Sequence, residues 1–227
     1  DVLYSLTTGG NNVAIGNDAL GNNTASENTA IGYVTLSSNT SGQRNTAVGA
    51  YALDANTTAD YNDAFGWKAL SANTTGSANS AFGNSALELN TEGSNNCAVG
   101  YGALYANTTG GGNTAVGSAA MDAVTTGNNN TGVGYHALGV LTTGGNNVAF
   151  GAYAGRQMNA ASYNTAVGYS SLENTSSGTG NVACGYKTLE ANTTSDNNTA
   201  FGYECLKGSS GGASNVAIGY QCGLNIS

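Results

Sequence analysis

Basic side chains are scarce in this chain. Five lysines and arginines stand against 13 aspartates and glutamates in 227 residues, a formal net charge of −8. So few cations cannot line a phosphate-tracking stripe, which argues against nucleic acid as a partner. A single histidine, His136, removes most metal and triad chemistry, and the four cysteines show no CxxC spacing. No apolar run reaches 18 residues, so the sequence offers no membrane-spanning helix. Proline is absent altogether and only 18 residues carry charge, which suits either a low-complexity chain or one with extensive backbone pairing. The opening, Asp1-Val2-Leu3-Tyr4, has neither a signal peptide nor an initiator Met, as expected of a processed or excised segment.

Glycine is abundant, 35 residues, and its placement decides between those two classes. An Asn-x-Ala-apolar-Gly pentapeptide ends at Gly16, Gly32, Gly49, Gly66, Gly83, Gly100, Gly117, Gly134, Gly151, Gly168, Gly185, Gly202 and Gly219. The first interval is 16 residues and the other eleven are 17. A period this short and constant means one small unit stacked on itself. We therefore expect an all-β solenoid of about 13 coils with a 17-residue repeat, forming a single repeat domain over residues 1–227.

Numbered from the glycine as position zero, position −4 is always asparagine: Asn12, Asn28, Asn45, Asn62, Asn79, Asn96, Asn113, Asn130, Asn147, Asn164, Asn181, Asn198 and Asn215. Position −2 is Ala except at Gly132, position −1 is apolar throughout, position +3 is small, and position +4 is Leu in ten copies. Two strand-like stretches are expected per coil, Asn-Thr-Ala-Val before the glycine and Tyr-x-Ala-Leu after it, with turn chemistry in the remainder. Stacking at about 4.8 Å gives a rod of roughly 60 Å and sets the asparagines in a side-chain ladder. Alternation separates a small face (Asn, Ala, Gly) from an apolar stripe at positions −3 and −1. One lines the interior; the other is an oligomer seam, and the sequence leaves open which is which. On this reading Asp at either Val116 or Leu104 breaks the stack.

Asn11-Asn12-Val13-Ala14-Ile15-Gly16 and Ser214-Asn215-Val216-Ala217-Ile218-Gly219 resemble the head repeats of trimeric autotransporter adhesins. Asn45-Thr46-Ala47-Val48-Gly49 with Ala52-Leu53 and Asn56-Thr57-Thr58 resembles repeats of phage tail fibres and bacterial surface fibres. The resemblance implies a left-handed β-roll, three chains side by side, and an extracellular, cell-surface or virion-surface location. The adhesin heads have a shorter repeat, so this coil carries a longer loop.

Several regular features add candidate surfaces. Aromatic residues at position +1 alternate with small ones at Tyr33, Trp67, Tyr101, Tyr135 and Tyr169, a 34-residue super-period. Rings at this step of about 9.6 Å suit stacking on an extended polysaccharide, or packing against a neighbouring chain or loop. Threonine recurs at position +8, as at Thr57 and Thr74, which reads as an ice-binding ladder or as ordinary turn chemistry. Asn22, Asn39, Asn56, Asn73, Asn107 and Asn192 match the N-glycosylation pattern, as do Asn129, Asn174, Asn197 and Asn225. Cys205 and Cys222 share position +3 in adjacent coils, within disulfide reach, although each also serves as a small core residue. Two accidental matches, a dinucleotide fingerprint at Gly132-Val133-Gly134 and a nucleophile elbow at Gly208-Ser209-Ser210, are explained by the repeat and its Gly/Ser-rich loop.

No residue is expected to be catalytic and no cofactor or metal is implied. The expected function is a structural or adhesive segment of an extracellular fibre. Its partner is another copy, as a homotrimer or end-to-end polymer, or a surface polysaccharide or receptor. The alternatives are a filament of subunits stacked end to end and, third, ice binding.

Overall fold

The three residues before each repeat glycine alternate outward, inward, outward, and a coil this narrow has room inside only for the middle one. Each copy accordingly forms a three-residue strand around a small inward residue, alanine in all but one and buried in all but the first. The computed structural model describes residues 9–224. Two compact units divide the chain, one ending at Gly112 and the other beginning at Asn113.

The first unit holds β1 (Val13–Ile15), β2 (Thr29–Ile31), β3 (Thr46–Val48), β4 (Asp63–Phe65), β5 (Ser80–Phe82) and β6 (Cys97–Val99). The second holds β7 (Thr114–Val116), β8 (Thr131–Val133), β9 (Val148–Phe150), β10 (Thr165–Val167), β11 (Val182–Cys184), β12 (Thr199–Phe201) and β13 (Val216–Ile218). Within each unit the strands pair in parallel and in chain order with equal offsets facing, as in Ala30↔Ala47 and Ala166↔Ala183. This is a β-solenoid, and no helix occurs among the described residues.

Only one strand forms per coil. The stretch after the glycine, expected as a second strand, is a turn in which positions +2 and +4 take left-handed backbone: Val34 has φ 53° and Leu36 φ 50°. Left-handed backbone costs an L-residue about 1–2 kcal/mol. Here it is tolerated because the alternation sends successive amides in opposite axial directions. Val34 N donates to Asn17 O of one neighbouring coil at 2.8 Å, and Leu36 N to Ala52 O of the other at 3.1 Å. Hydrogen bonding thus continues past the strand, leaving few backbone groups orphaned.

The repeat glycine has a stricter cause. Gly66 has φ 141°, and a Cβ there would lie 2.4 Å from the carbonyl oxygen of Gly83 in the next coil. No L side chain fits that contact.

The small face is the interior. Ala at −2 and +3, Leu at +4 and Asn at −4 are buried, save Asn12, Ala14 and Asn215 in the first and last coils, with Leu20, Leu36, Leu53, Leu70, Leu87 and Leu104 forming a continuous row in the first unit. Departures from the consensus compensate one another. Gly132 replaces alanine where a Cβ would come within 2.8 Å of Met121, the longer, unbranched side chain standing at a leucine position. Gly155 replaces a leucine, and Met158 lies 3.0 Å from where its Cβ would be, so Met158 occupies that space. Interior volume is conserved rather than sequence.

Candidate functional surface

Two asparagine ladders run through the interior. At position −4, Asn45 N donates to Asn28 Oδ1 at 3.0 Å and Asn45 Nδ2 to the same oxygen at 3.2 Å. This is repeated at Asn62 on Asn45, Asn79 on Asn62 and Asn96 on Asn79. The second unit repeats it from Asn130 on Asn113, through Asn147, Asn164, Asn181 and Asn198, to Asn215. Asn12 accepts Asn28 N at 2.9 Å. These side chains therefore satisfy a backbone amide in every coil they join.

The second ladder, at position +7, was not singled out by sequence reasoning as an interior feature. Asn56 Nδ2 donates to Asn39 Oδ1 at 2.9 Å, Asn73 to Asn56 at 3.1 Å and Asn107 to Asn90 at 2.7 Å. In the first unit both ladders converge on one loop carbonyl per coil: Gly76 O accepts Asn62 Nδ2 at 3.0 Å and Asn73 Nδ2 at 2.9 Å. The sequence signal was available, since asparagine at −4 and at +7 lie on either side of the strand and share its period.

This overturns part of the glycosylation pattern. Asn39, Asn56, Asn73, Asn107 and Asn192 are buried, with Nδ2 donating into the coil interior, so a glycan has no access. Asn22 is exposed, as are Asn129, Asn174 and Asn197; Asn225 lies outside the described residues. Position +8 is also engaged. Thr57 and Thr74 hydroxyls donate to Thr74 O at 3.2 Å and Thr91 O at 3.0 Å, so this row binds the next coil rather than presenting free donors.

A third row, at position −6, receives amides from the preceding coil: Asp60 Oδ1 accepts Gln43 N at 2.7 Å and Ser94 Oγ accepts Ser77 N at 3.0 Å. The register is thus fixed by side chains on several faces of the coil.

Outside, the strands present positions −3 and −1. Ile15, Phe82, Val99, Val116, Phe150, Phe201 and Ile218 are all exposed, Phe150 at 44%. Phe65 and Phe82 stack at 4.8 Å. Among the strand residues of either unit the only ionisable side chains are Asp63, Cys97 and Cys184. Cations sit elsewhere, and each is paired: Arg44 with Glu27, Lys68 with Glu88, Arg156 with Glu173, Lys187 with Glu190, Lys207 with Glu204. Hydrogen bonds to Lys207 and Gln221 hold the Glu204 carboxyl below its ordinary range, while burial pushes Asp54 and Asp122 up.

The aromatic row is engaged within the chain for most of its length. Tyr33 meets Tyr51 edge-on at 5.4 Å, Lys68 Nζ lies 4.7 Å above Trp67, and Tyr135 and Tyr169 both meet Tyr153 edge-on. Tyr101 is exposed at 67%. Tyr169, Tyr186, Tyr203 and Tyr220 stack on one another at 5.0–5.6 Å. In that stack the ring faces are spent on neighbouring rings, which leaves edges rather than faces for a sugar.

No protein family, curated protein or solved structure matches the chain.

Proposed function

We propose that the chain is a structural segment of an extracellular fibre, in which copies associate side by side through the outer strand face. The observation that carries this reading is the apolar −1 row, exposed or half-buried in every coil, lying on a strand face with almost no charge, on a chain of net charge −8. Scattered apolar residues are normal on a surface, whereas a continuous row in each unit is not. Like-charged copies repel least along a neutral face, and a second copy has the same axial period, so its side chains stay in step with these. The fibre-repeat resemblance of Asn45-Thr46-Ala47-Val48-Gly49 adds the expectation of three chains.

Sedimentation equilibrium tests it. The chain should sediment as a discrete trimer, and the double variant Phe82→Ser with Phe150→Ser as a monomer of unchanged circular dichroism. A wild-type monomer at high micromolar concentration overturns the reading. Open-ended polymers with an axial repeat of about 4.8 Å in electron micrographs would favour the filament of stacked subunits instead. Ice binding finds no support in position +8, whose hydroxyl donors are turned to the next coil.

A further inference from the structure

The position +3 side chain of a coil reaches toward the following coil whenever it carries a polar atom. Thr35 donates to Gly49 O at 3.1 Å, Ser171 to Ala183 O at 3.2 Å and Thr188 to Gly202 O at 2.6 Å. Cys205 does the same: its thiol reaches Ala217 O at 3.3 Å. In the coil it reaches into, position +3 is Cys222. Two backbone hydrogen bonds bracket the pair, Gln221 N to Tyr203 O and Leu206 N to Cys222 O, both 2.8 Å. The two cysteines therefore stand opposite each other in register, and Cα atoms so placed, about 4.8 Å apart, fall within the range a disulfide spans. Cys205 is buried and Cys222 half-buried, and both are thiols in this structure. Cys97 and Cys184 differ: they lie on strands, at −3 and −1, with no cysteine at the same offset in a neighbouring coil.

We infer that Cys205 and Cys222 are a redox couple that clasps the coils of β12 and β13 together, with Cys222 the entry thiol and Cys205 the resolving one. With a small-molecule disulfide as oxidant, the Cys222 thiolate attacks one of its sulfurs, forming a mixed disulfide and releasing one small thiolate. Cys205 then loses its proton and attacks the Cys222 sulfur. That step forms the Cys205–Cys222 bond and expels the second small thiol, so the protein is oxidised by two electrons and the small disulfide is reduced to two thiols. The order follows from access. Burial, then the adjoining Cys222, pushes the Cys205 thiol up, so it is a poor first nucleophile and needs a partner sulfur delivered beside it. Closing the bond ties off one 17-residue coil and holds β13, whose Val216 and Ile218 are over 70% exposed, against β12. This inference is independent of the fibre reading.

The test is oxidation of the reduced chain by oxidised glutathione. Trypsin cuts after Lys187 and Lys207, placing the two cysteines in separate peptides, 188–207 and 208–227. After oxidation these should run as one linked species in the mass spectrum and separate on reduction. Cys205→Ala should instead accumulate glutathione on Cys222, whereas Cys222→Ala should leave Cys205 unmodified. Both variants carry the alanine that position +3 has in most coils, as at Ala52 and Ala69, so folding is retained. Wild-type glutathione adducts without the linked peptide overturn the inference, as would faster modification of Cys205 than of Cys222.

Discussion

The two asparagine ladders look alike in sequence and should differ sharply in energetic weight. Replace Asn62 by Leu, a side chain of similar size. Asn62 Oδ1 is the acceptor for the backbone amide of Asn79 at 3.0 Å, so that buried N–H loses its partner. Gly76 O keeps the Asn73 donor, and Asn79 Nδ2 keeps Gly93 O at 2.8 Å, so no other donor is orphaned. Now replace Asn73 by Leu. Asn90 Nδ2 still has Gly93 O, and Gly76 O still has Asn62. Only the Asn56 side-chain oxygen is left bare, and no backbone amide is affected. An orphaned buried donor or acceptor costs about 1–3 kcal/mol, so Asn62→Leu, which strands a backbone N–H, should lose about 2–3 kcal/mol, and Asn73→Leu, which strands only a side-chain oxygen of the kind the fold already leaves without a partner at Asn107, about 1 kcal/mol. The chain supports the second figure, since Val124, Leu141 and Met158 already occupy position +7, all buried. Urea unfolding of both variants gives the comparison, and amide exchange at Asn79 localises it. Equal losses within about 0.5 kcal/mol, or an Asn79 amide that stays protected in Asn62→Leu, would refute the reasoning.

Further outcomes are expected from the same geometry. Gly66→Ala meets the Gly83 carbonyl and should cost about 3 kcal/mol or more in thermal or urea unfolding. Gly102→Ser, at φ 60° with nothing within 4 Å and with Ser85 and Ser170 at the same offset, should cost only the left-handed backbone strain, about 1–2 kcal/mol. Leu104→Asp should unfold the first unit locally, while Val116→Asp, on the outer face, should leave circular dichroism and monomer stability nearly unchanged; equal damage would misplace one of them. Asp54→Ser should stabilise at pH 7, because Asp54 Oδ1 is buried without a hydrogen-bond partner and its raised pKa marks a penalty on the charged form. That penalty is present above the native pKa and fades as pH falls through it toward 3.8, the ordinary value, so the gain in melting temperature should shrink in acid. A gain that grows on acidification would reverse the assignment.

Much of this protein is determined by the sequence alone. Thirteen glycines at a near-constant spacing leave a stack as the only architecture, because a 17-residue unit cannot bury its own apolar residues and a neighbour of the same period can. The small inward residue of each strand and the leucine row follow from that period. Three things were decided only by the tertiary structure. Alternation marks two faces of the strand but not which is inside; the leucine row fills the coil opposite the strand, so only Asn and Ala fit on the strand's inner face and its Val, Ile and Phe are turned out. The run Tyr33-Val34-Thr35-Leu36 alternates like a strand, yet the coil must turn there, and amides that reach both neighbouring coils outweigh the strain of Val34 and Leu36. The asparagines of the glycosylation pattern read as surface loop because composition is local. Their burial as a second ladder depends on the same position one coil away, as where Asn73 Nδ2 donates to Asn56 Oδ1 across 17 residues, a contact that no local pattern contains.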